Sequence, residues 1–361
     1  MPEETHLYAV IMAGGRGTRF WPLSREQRPK QLLPITGSEP LIRITVDRIL
    51  PLIPPEKVLV VTGVSHLEEV KTLLPDLPPE NILAEPVGRN TAPCVGLAAH
   101  FIHHRDPEGI MAVLPADHVI AKTAQFRSLI KTASNLVKNR KVLVTLGITP
   151  THPETGYGYL EAGPLVTESN GTKVYTVSRF HEKPDLDKAQ EYYLSEKYYW
   201  NSGMFIWRAD TILSYLRELL PDLARDLEKL SQAIERPDFI SVMEEMYPEL
   251  EAVSIDYGVM EKAADVLVLP ADIGWSDVGS WTSAAQFWPT VDGNVSQGDC
   301  LFIDSSGCVI YNPERHVTLI GVDDLVVIDT TDALLICPKD RDQDIKKAVE
   351  ALKSKGRKDL L

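Results

Sequence analysis

The chain has 361 residues, room for one large domain and a smaller one. Apolar residues at 44% and charged residues at 24% are ordinary for a globular protein, which excludes disordered, collagen-like and disulfide-scaffold classes. A net charge of −14 repels phosphate backbones and anionic lipid, so no nucleic-acid or membrane partner is expected. Cys94, Cys300, Cys308 and Cys337 form no C-x-x-C pair and suggest neither a disulfide framework nor a zinc site. No run of 18 apolar residues occurs, and the start carries acids where a signal peptide needs bases. These features predict a soluble cytoplasmic protein.

In chain order, near-continuous apolar runs at 7–12, 58–62, 110–114 and 142–148 read as strands buried on both faces. Helical patterns at 41–49, 65–74, 91–104 and 124–139 alternate with them. That alternation predicts an α/β fold: a Rossmann-like, doubly wound, mixed but mostly parallel sheet with ligands beyond the carboxyl ends of its strands. From residue 157 extended stretches (157–162, 173–180, 203–207) mix with helices (186–195, 210–219, 223–234), read as an insertion covering one end of the sheet. Beyond 293 short β-like runs at 301–303, 308–311 and 317–320 predict a small C-terminal β domain or β-helix fragment, closed by an amphipathic helix at 343–354. The expected division is a catalytic domain at 1–290 and a β domain at 291–361.

The loop after the first strand carries the strongest chemical signal. Residues 16–30 hold five cations (Arg16, Arg19, Arg25, Arg28, Lys30) against one acid (Glu26), a net of +4 inside a chain of −14. Such a reversal calls for a bound polyanion. Gly14, Gly15 and Gly17 free backbone N–H groups to face phosphate oxygens, and the arginines add forked donors. No Gly-Lys pair stands here, which excludes a P-loop. Phe20 occupies the third glycine position of a dinucleotide fingerprint, which also argues against an NAD(P) oxidoreductase.

Gly15-Arg16-Gly17-Thr18-Arg19 followed by Pro29-Lys30 resembles the G-x-G-T-R…P-K signature of sugar-nucleotide pyrophosphorylases. The fuller string from Met12 to Arg25, with Pro29-Lys30-Gln31, resembles their bacterial mannose-1-phosphate guanylyltransferase branch. The resemblance implies a GT-A-like nucleotidyltransferase domain and one reaction: GTP plus mannose 1-phosphate gives GDP-mannose and pyrophosphate. Gly14, Gly15, Arg16, Gly17 and Thr18 are then the phosphate cradle. It also implies that the β domain is a truncated left-handed β-helix used in subunit pairing, hence a homodimer. Longer members carry an isomerase domain for which this chain leaves no room, so a single activity is expected.

Nucleotidyl transfer calls for Mg²⁺, which takes one or two carboxylates. Asp117 ends the strand pattern at 111–116, and Asp277 lies in the Gly- and Trp-flanked turn 273–281; a helix cap is the alternative reading of Asp277. Both look like family blocks, and the resemblance implies that both bind the metal. His181-Glu182-Lys183-Pro184 resembles the family's sugar block, implying that Glu182 holds sugar hydroxyls and Lys183 the sugar phosphate. Asn201, in an Asn-Ser-Gly block, is implied to bond sugar hydroxyls, and Gly158 allows the backbone close to the sugar. The segment 89–93 is implied to lie near the base; guanine's N–H groups need acceptors, for which Glu85 or backbone carbonyls are the candidates, while Asn90 or Thr91 could serve as an N-cap instead. His100, His103 and His104 read as a solvated helix face rather than a metal set.

Catalysis is expected to rest on positioning and cation clamping. Arg19, helped by Arg16, is assigned to the leaving phosphates, Lys30 to the α-phosphorus and Lys183 to the attacking phosphate. The rival readings are another base or sugar for the same chemistry, and a non-catalytic sugar-nucleotide-binding paralogue. The paralogue is expected to lack metal acids or Lys30, all of which are present.

Overall fold

The computed structural model describes residues 6–15, 17–169 and 171–361. Its contacts divide the chain into two units that do not follow chain order. The first comprises the chain to Gly14, Val46–Pro115 and Ile120–Trp275; the second comprises Gly15–Thr45, Ala116–Val119 and Ser276–Leu361.

The first unit is built on nine strands: β1 (Leu7–Ala13), β2 (Val58–Gly63), β3 (Ile82–Glu85), β4 (Ile110–Pro115), β5 (Leu143–Ile148), β6 (Tyr159–Ser169), β7 (Thr172–His181), β8 (Tyr198–Arg208) and β9 (Val266–Ala271). Their order in the sheet is β3-β2-β1-β4-β8-β5-β9-β7-β6. Strands β3, β2, β1 and β4 run parallel, as do β5 and β9. Strand β8 is antiparallel to both its neighbours, and β7 to β9. The expected insertion therefore does not cover the sheet: its strands complete it, and β8 sits near the middle. Period-two reading of 203–207 locates the strand but carries no information about its partners. Strand β9 (Val-Leu-Val-Leu-Pro-Ala) bears the same apolar signature as β1 but lies outside the expected strands, as does β3, which has only four residues.

Burial explains the apolar runs. Every residue of β5 is buried, and so is all of β1 except Met12. In chain order the first helices are α1 (Leu41–Ile49), α2 (Leu67–Leu73), α3 (Thr91–Arg105), α4 (Thr123–Val137), α5 (Leu186–Ser195), α6 (Ala209–Leu219) and α7 (Pro221–Ser231). Tyr8 and Val10 of β1, with Met111 and Val113 of β4, join one core with α3, α6 and α7. Ten residues of α3 are buried. Its histidines divide: His100 departs from the expected solvated face and His104 lies on it. His100 is partly buried, and burial, aided by Arg217 and His103, lowers its pKa to about 4. His104 is exposed and pairs with Glu235 at 2.8 Å.

The second unit contains a five-stranded sheet that includes β10 (Asn294–Ile303), β11 (Val309–Ile320), β12 (Leu325–Asp329) and β13 (Leu334–Pro338). Strands β10, β11 and β12 stack in parallel with Val295, Val309 and Val326 aligned, the repeat of a short β-helix. The terminal helix spans Ile345–Ser354. The same unit holds the basic loop. Phe20 meets Trp281 edge-on at 5.0 Å, and Trp281 packs against Tyr311 and Trp288. Trp21 Nε1 and Arg25 Nη1 both donate to the carbonyl of Leu360 at 2.8 Å, and Arg25 pairs with Asp332. The loop is thus anchored on an aromatic core and on the chain's last turn.

Candidate active site

Within the second unit, Gly17, Thr18, Arg19, Lys30, Asp117 and Asp277 line one cavity of about 350 Å³. Gly17 has φ of 59°, and a Cβ there would lie 2.4 Å from Lys30 Cβ and 2.8 Å from Lys30 N, so only glycine fits. Ser24 Oγ donates to Gly17 O at 2.6 Å and holds the turn. Gly15 has open space around it, and Gln31 donates to its carbonyl at 3.1 Å. Arg16 lies outside the described residues.

Lys30 is the centre of this cavity. Its Nζ donates to Asp117 Oδ2 at 2.8 Å and to the backbone carbonyl of Asp277 at 2.6 Å, while lying 5.7 Å from the centre of the Phe20 ring. Burial raises the Asp117 carboxyl, but Lys30 and His118 outweigh it and hold Asp117 below the ordinary carboxylate range. Asp277 Oδ1 accepts from Gly279 N at 3.1 Å, and Arg19 Nη1 donates to Gly279 O at 3.3 Å. The intervening Val278 takes φ of 46°, a conformation that costs a β-branched residue about 1–3 kcal/mol. Asp277 is not a helix cap. Ser280 caps the helix Trp281–Ala285 in a reciprocal box with Ser283, which leaves the Asp277 carboxylate at the cavity wall.

The first unit gathers a second set. A Cβ on Gly158 would come 2.7 Å from Glu182 Oε2, and the Gly158 carbonyl accepts from Asn201 N at 2.8 Å. Lys183, with φ of 43°, pairs with Glu182 Oε1 at 2.5 Å. Tyr157 packs edge-on against Trp200 and Trp275 at 5.2 and 5.3 Å, fixing the loop that carries Gly158.

Glu85 ends β3 and is buried. Burial pushes its pKa up to about 7 against the opposing hydrogen bond from the Tyr247 hydroxyl. Tyr247 is itself fully buried, and burial, with Glu85 nearby, holds it protonated well above its usual range. A Cβ on Gly14 would lie 3.7 Å from Glu85 Oε2. Asn90 is the N-cap of α3, with φ of 68° and its Oδ1 accepting from Thr91 N at 2.9 Å. Thr91 Oγ1 accepts from Ile255 N at 2.8 Å. The side chains of Asn90 and Thr91 thus build the start of α3.

Two residues here escape sequence reasoning. Tyr247 lies 162 residues from Glu85 and no local pattern marks it. Asp256 bonds Asn201 Nδ2 at 2.7 Å; the available signal is a single acid within the otherwise uncharged stretch 252–260.

A parallel-containing sheet, with a Gly- and Arg-rich loop following its first strand and two aspartates brought to that loop's lysine, defines a nucleotide-handling transferase. Residues 8–291 match the nucleotidyl transferase family, and residues 298–352 match the mannose-phosphate isomerase/GMP-like β-helix domain. The chain belongs to the nucleotidyl transferase family and, within it, to the mannose-1-phosphate guanylyltransferases. It is 42% identical over 361 residues to mannose-1-phosphate guanylyltransferase of Escherichia coli K12, an alignment covering 98% of this chain and 75% of that one. Mannose-1-phosphate guanylyltransferase RfbM of Salmonella typhimurium is 41% identical, with 96% and 73% covered. A solved structure described as mannose-1-phosphate geranyltransferase from Thermus thermophilus superposes with a TM-score of 0.86 at 34% identity, covering 97% of this chain and all of that one.

Proposed function

We propose that this enzyme transfers GMP from GTP to α-D-mannose 1-phosphate, releasing pyrophosphate and GDP-mannose. The observation that carries the reading is Lys30 bonded to both Asp117 and the Asp277 backbone in the cavity that Arg19 lines. The sugar phosphate is already an anionic nucleophile near neutral pH, so no strong protein base is needed. One of its oxygens attacks the α-phosphorus in line. The bond from that phosphorus to the β-bridging oxygen breaks, pyrophosphate leaves with the electron pair, and phosphorus inverts.

Lys30 balances charge at the α-phosphate, and Arg19, with Arg16, holds the β- and γ-phosphates. Glu182 and Asn201 accept and donate to sugar hydroxyls beside Gly158, and Lys183 aims the attacking phosphate. Gly14, Gly15, Gly17 and Thr18 supply backbone N–H donors. Glu85 accepts from guanine N1–H and N2–H₂, with Asn90 and Thr91 at the start of the neighbouring helix.

The residues suit Mg²⁺, which takes one or two protein carboxylates and completes its shell with water and phosphate oxygens. Asp117 and Asp277, which both line the cavity, would hold it, and among the described residues no set of three His, Cys, Asp or Glu side chains competes. When bound it neutralises phosphate charge.

A homodimer is proposed through the β domain, where Leu301, Ile303, Ile320, Leu334 and Ile336 are exposed and Ile303 aligns with Ile320. A cytoplasmic location is supported by four cysteines outside any disulfide and, among the described residues, no helix long and apolar enough to cross a membrane. The test is pyrophosphate release across four nucleoside triphosphates and several sugar 1-phosphates. GTP with mannose 1-phosphate is expected to lead; another pair in front overturns the specificity, and no release with any pair overturns the reaction.

A further inference from the structure

Asn201 is held at both ends of its carboxamide. Its Nδ2 donates to Asp256 Oδ1 at 2.7 Å, and its Oδ1 accepts from the backbone N–H of Gly203 at 3.2 Å. An ionised carboxylate only accepts, and a backbone N–H only donates. The amide therefore has one permitted orientation, since a flip would set oxygen against oxygen and NH₂ against N–H. One N–H and one lone pair of the amide remain for a ligand, in fixed directions. Vicinal sugar hydroxyls, each both donor and acceptor, suit that combination.

Asp256 is itself placed by an irregular backbone. It opens a five-residue π-helical turn, Asp256–Met260, a rare geometry enriched at functional sites. The turn is tied at its start, where Ile255 N donates to Thr91 Oγ1 at 2.8 Å, and it closes on itself through Glu261 N donating to Asp256 O at 2.9 Å. A Cβ on Gly258 would lie 2.8 Å from Leu220 Cδ1, so the turn packs closely against its neighbour. Burial raises the Asp256 carboxyl, opposed by the Asn201 hydrogen bond. The charges of Glu182 and Lys183 also act on it, which puts it in the electrostatic neighbourhood of the sugar set.

We infer that Asp256 is a positioning residue for the sugar phosphate, locking the Asn201 carboxamide so that its remaining donor and acceptor meet the sugar hydroxyls. The inference rests on the sugar-binding role proposed above for Asn201. It predicts that Asp256 acts only through Asn201.

The test is a double-mutant cycle read in KM. Asn201→Ala, Asp256→Asn and the double variant are assayed for both substrates, with thermal midpoints as controls. Asp256→Asn replaces an obligate acceptor by an amide that also donates, and so removes one of the two constraints on the flip, leaving only the Gly203 N–H. It should raise KM for mannose 1-phosphate about tenfold and leave KM for GTP within about twofold. The double variant should be no worse than Asn201→Ala alone, because linked residues are not additive. An additive double variant, or an unchanged KM in Asp256→Asn while Asn201→Ala raises it, overturns the inference and leaves the sugar site standing. An unchanged KM in Asn201→Ala overturns the sugar role of Asn201 and the inference with it. Asn201→Asp keeps Asp256 in place and sets two carboxylates against each other. It should raise the same KM at least as much as Asn201→Ala, and a wild-type KM there also overturns the lock.

Discussion

Asp117 of the second unit and Glu85 of the first are both carboxylates that follow buried strands, and their surroundings push them in opposite directions. Both carry a desolvation penalty that raises the pKa. At Asp117 Lys30 and His118 overcome it, and the carboxylate stays charged. At Glu85 the partner is a neutral tyrosine hydroxyl, too weak to offset burial, and the pKa rises to about 7. Asp256 follows Glu85 rather than Asp117, its amide partner again being neutral. A permanently charged acid suits a site for cations and polyphosphate. Acids whose charge is opposed by burial and only partly offset by a neutral partner suit hydrogen bonding to uncharged groups, a base edge, a hydroxyl or an amide.

The largest test of this contrast is removal of charge from the second unit. Asp277→Asn and Asp117→Asn should abolish turnover while the thermal midpoint stays near wild type, and EDTA should do the same reversibly, with Mg²⁺ restoring the rate. Near-normal turnover in either variant, or activity that persists in EDTA, breaks the two-aspartate reading. Arg19→Ala comes next, with kcat reduced on the order of 10²-fold or more for a lost transition-state donor. A change confined to KM for the sugar phosphate would place Arg19 elsewhere.

Smaller effects are expected from the first unit. Gly158→Ala sets a methyl 2.7 Å from Glu182 Oε2 and should raise KM for mannose 1-phosphate about tenfold with little change in KM for GTP. Steady-state kinetics with each substrate varied separately decides it. A separate effect is expected on stability rather than on turnover. With Glu85 titrating near 7 when folded and near 4.5 when unfolded, the folded state binds the extra proton between those values. Stability is therefore full below about pH 4.5 and falls as pH rises toward 7, by on the order of 3 kcal/mol. Glu85→Gln should flatten that slope in denaturation curves taken at several pH values. An unchanged slope would show that Glu85 titrates normally.

Much of this arrangement is legible in the residues. The basic segment 16–30 marks the cavity because charge reversal in an acidic chain is local information. Gly17 is legible for the same reason: its neighbour in space, Lys30, is only a short loop away. Asp117 is legible as an acid at the end of an apolar strand. Asp277 is less so, since an acid before a helix reads equally as a cap until Ser280 is seen in that role. His100 of α3 misleads because spacing reports a shared helix face but not whether a second layer covers part of it.

By itself, the sequence determined most of the buried strands and helices, β3 and β9 excepted, since side-chain volume and polarity recur with the period of the backbone that carries them. It also determined where anionic phosphate would be met, because glycines and cations lie together in one short loop. The tertiary structure alone decided that β8 enters the middle of the sheet, that Lys30 joins two aspartates 160 residues apart, and that Tyr247 and Asp256 stand behind Glu85 and Asn201. Strand partners, desolvation and Coulomb attraction depend on distance through space, and distant stretches of chain come within reach of one another only when folding is complete.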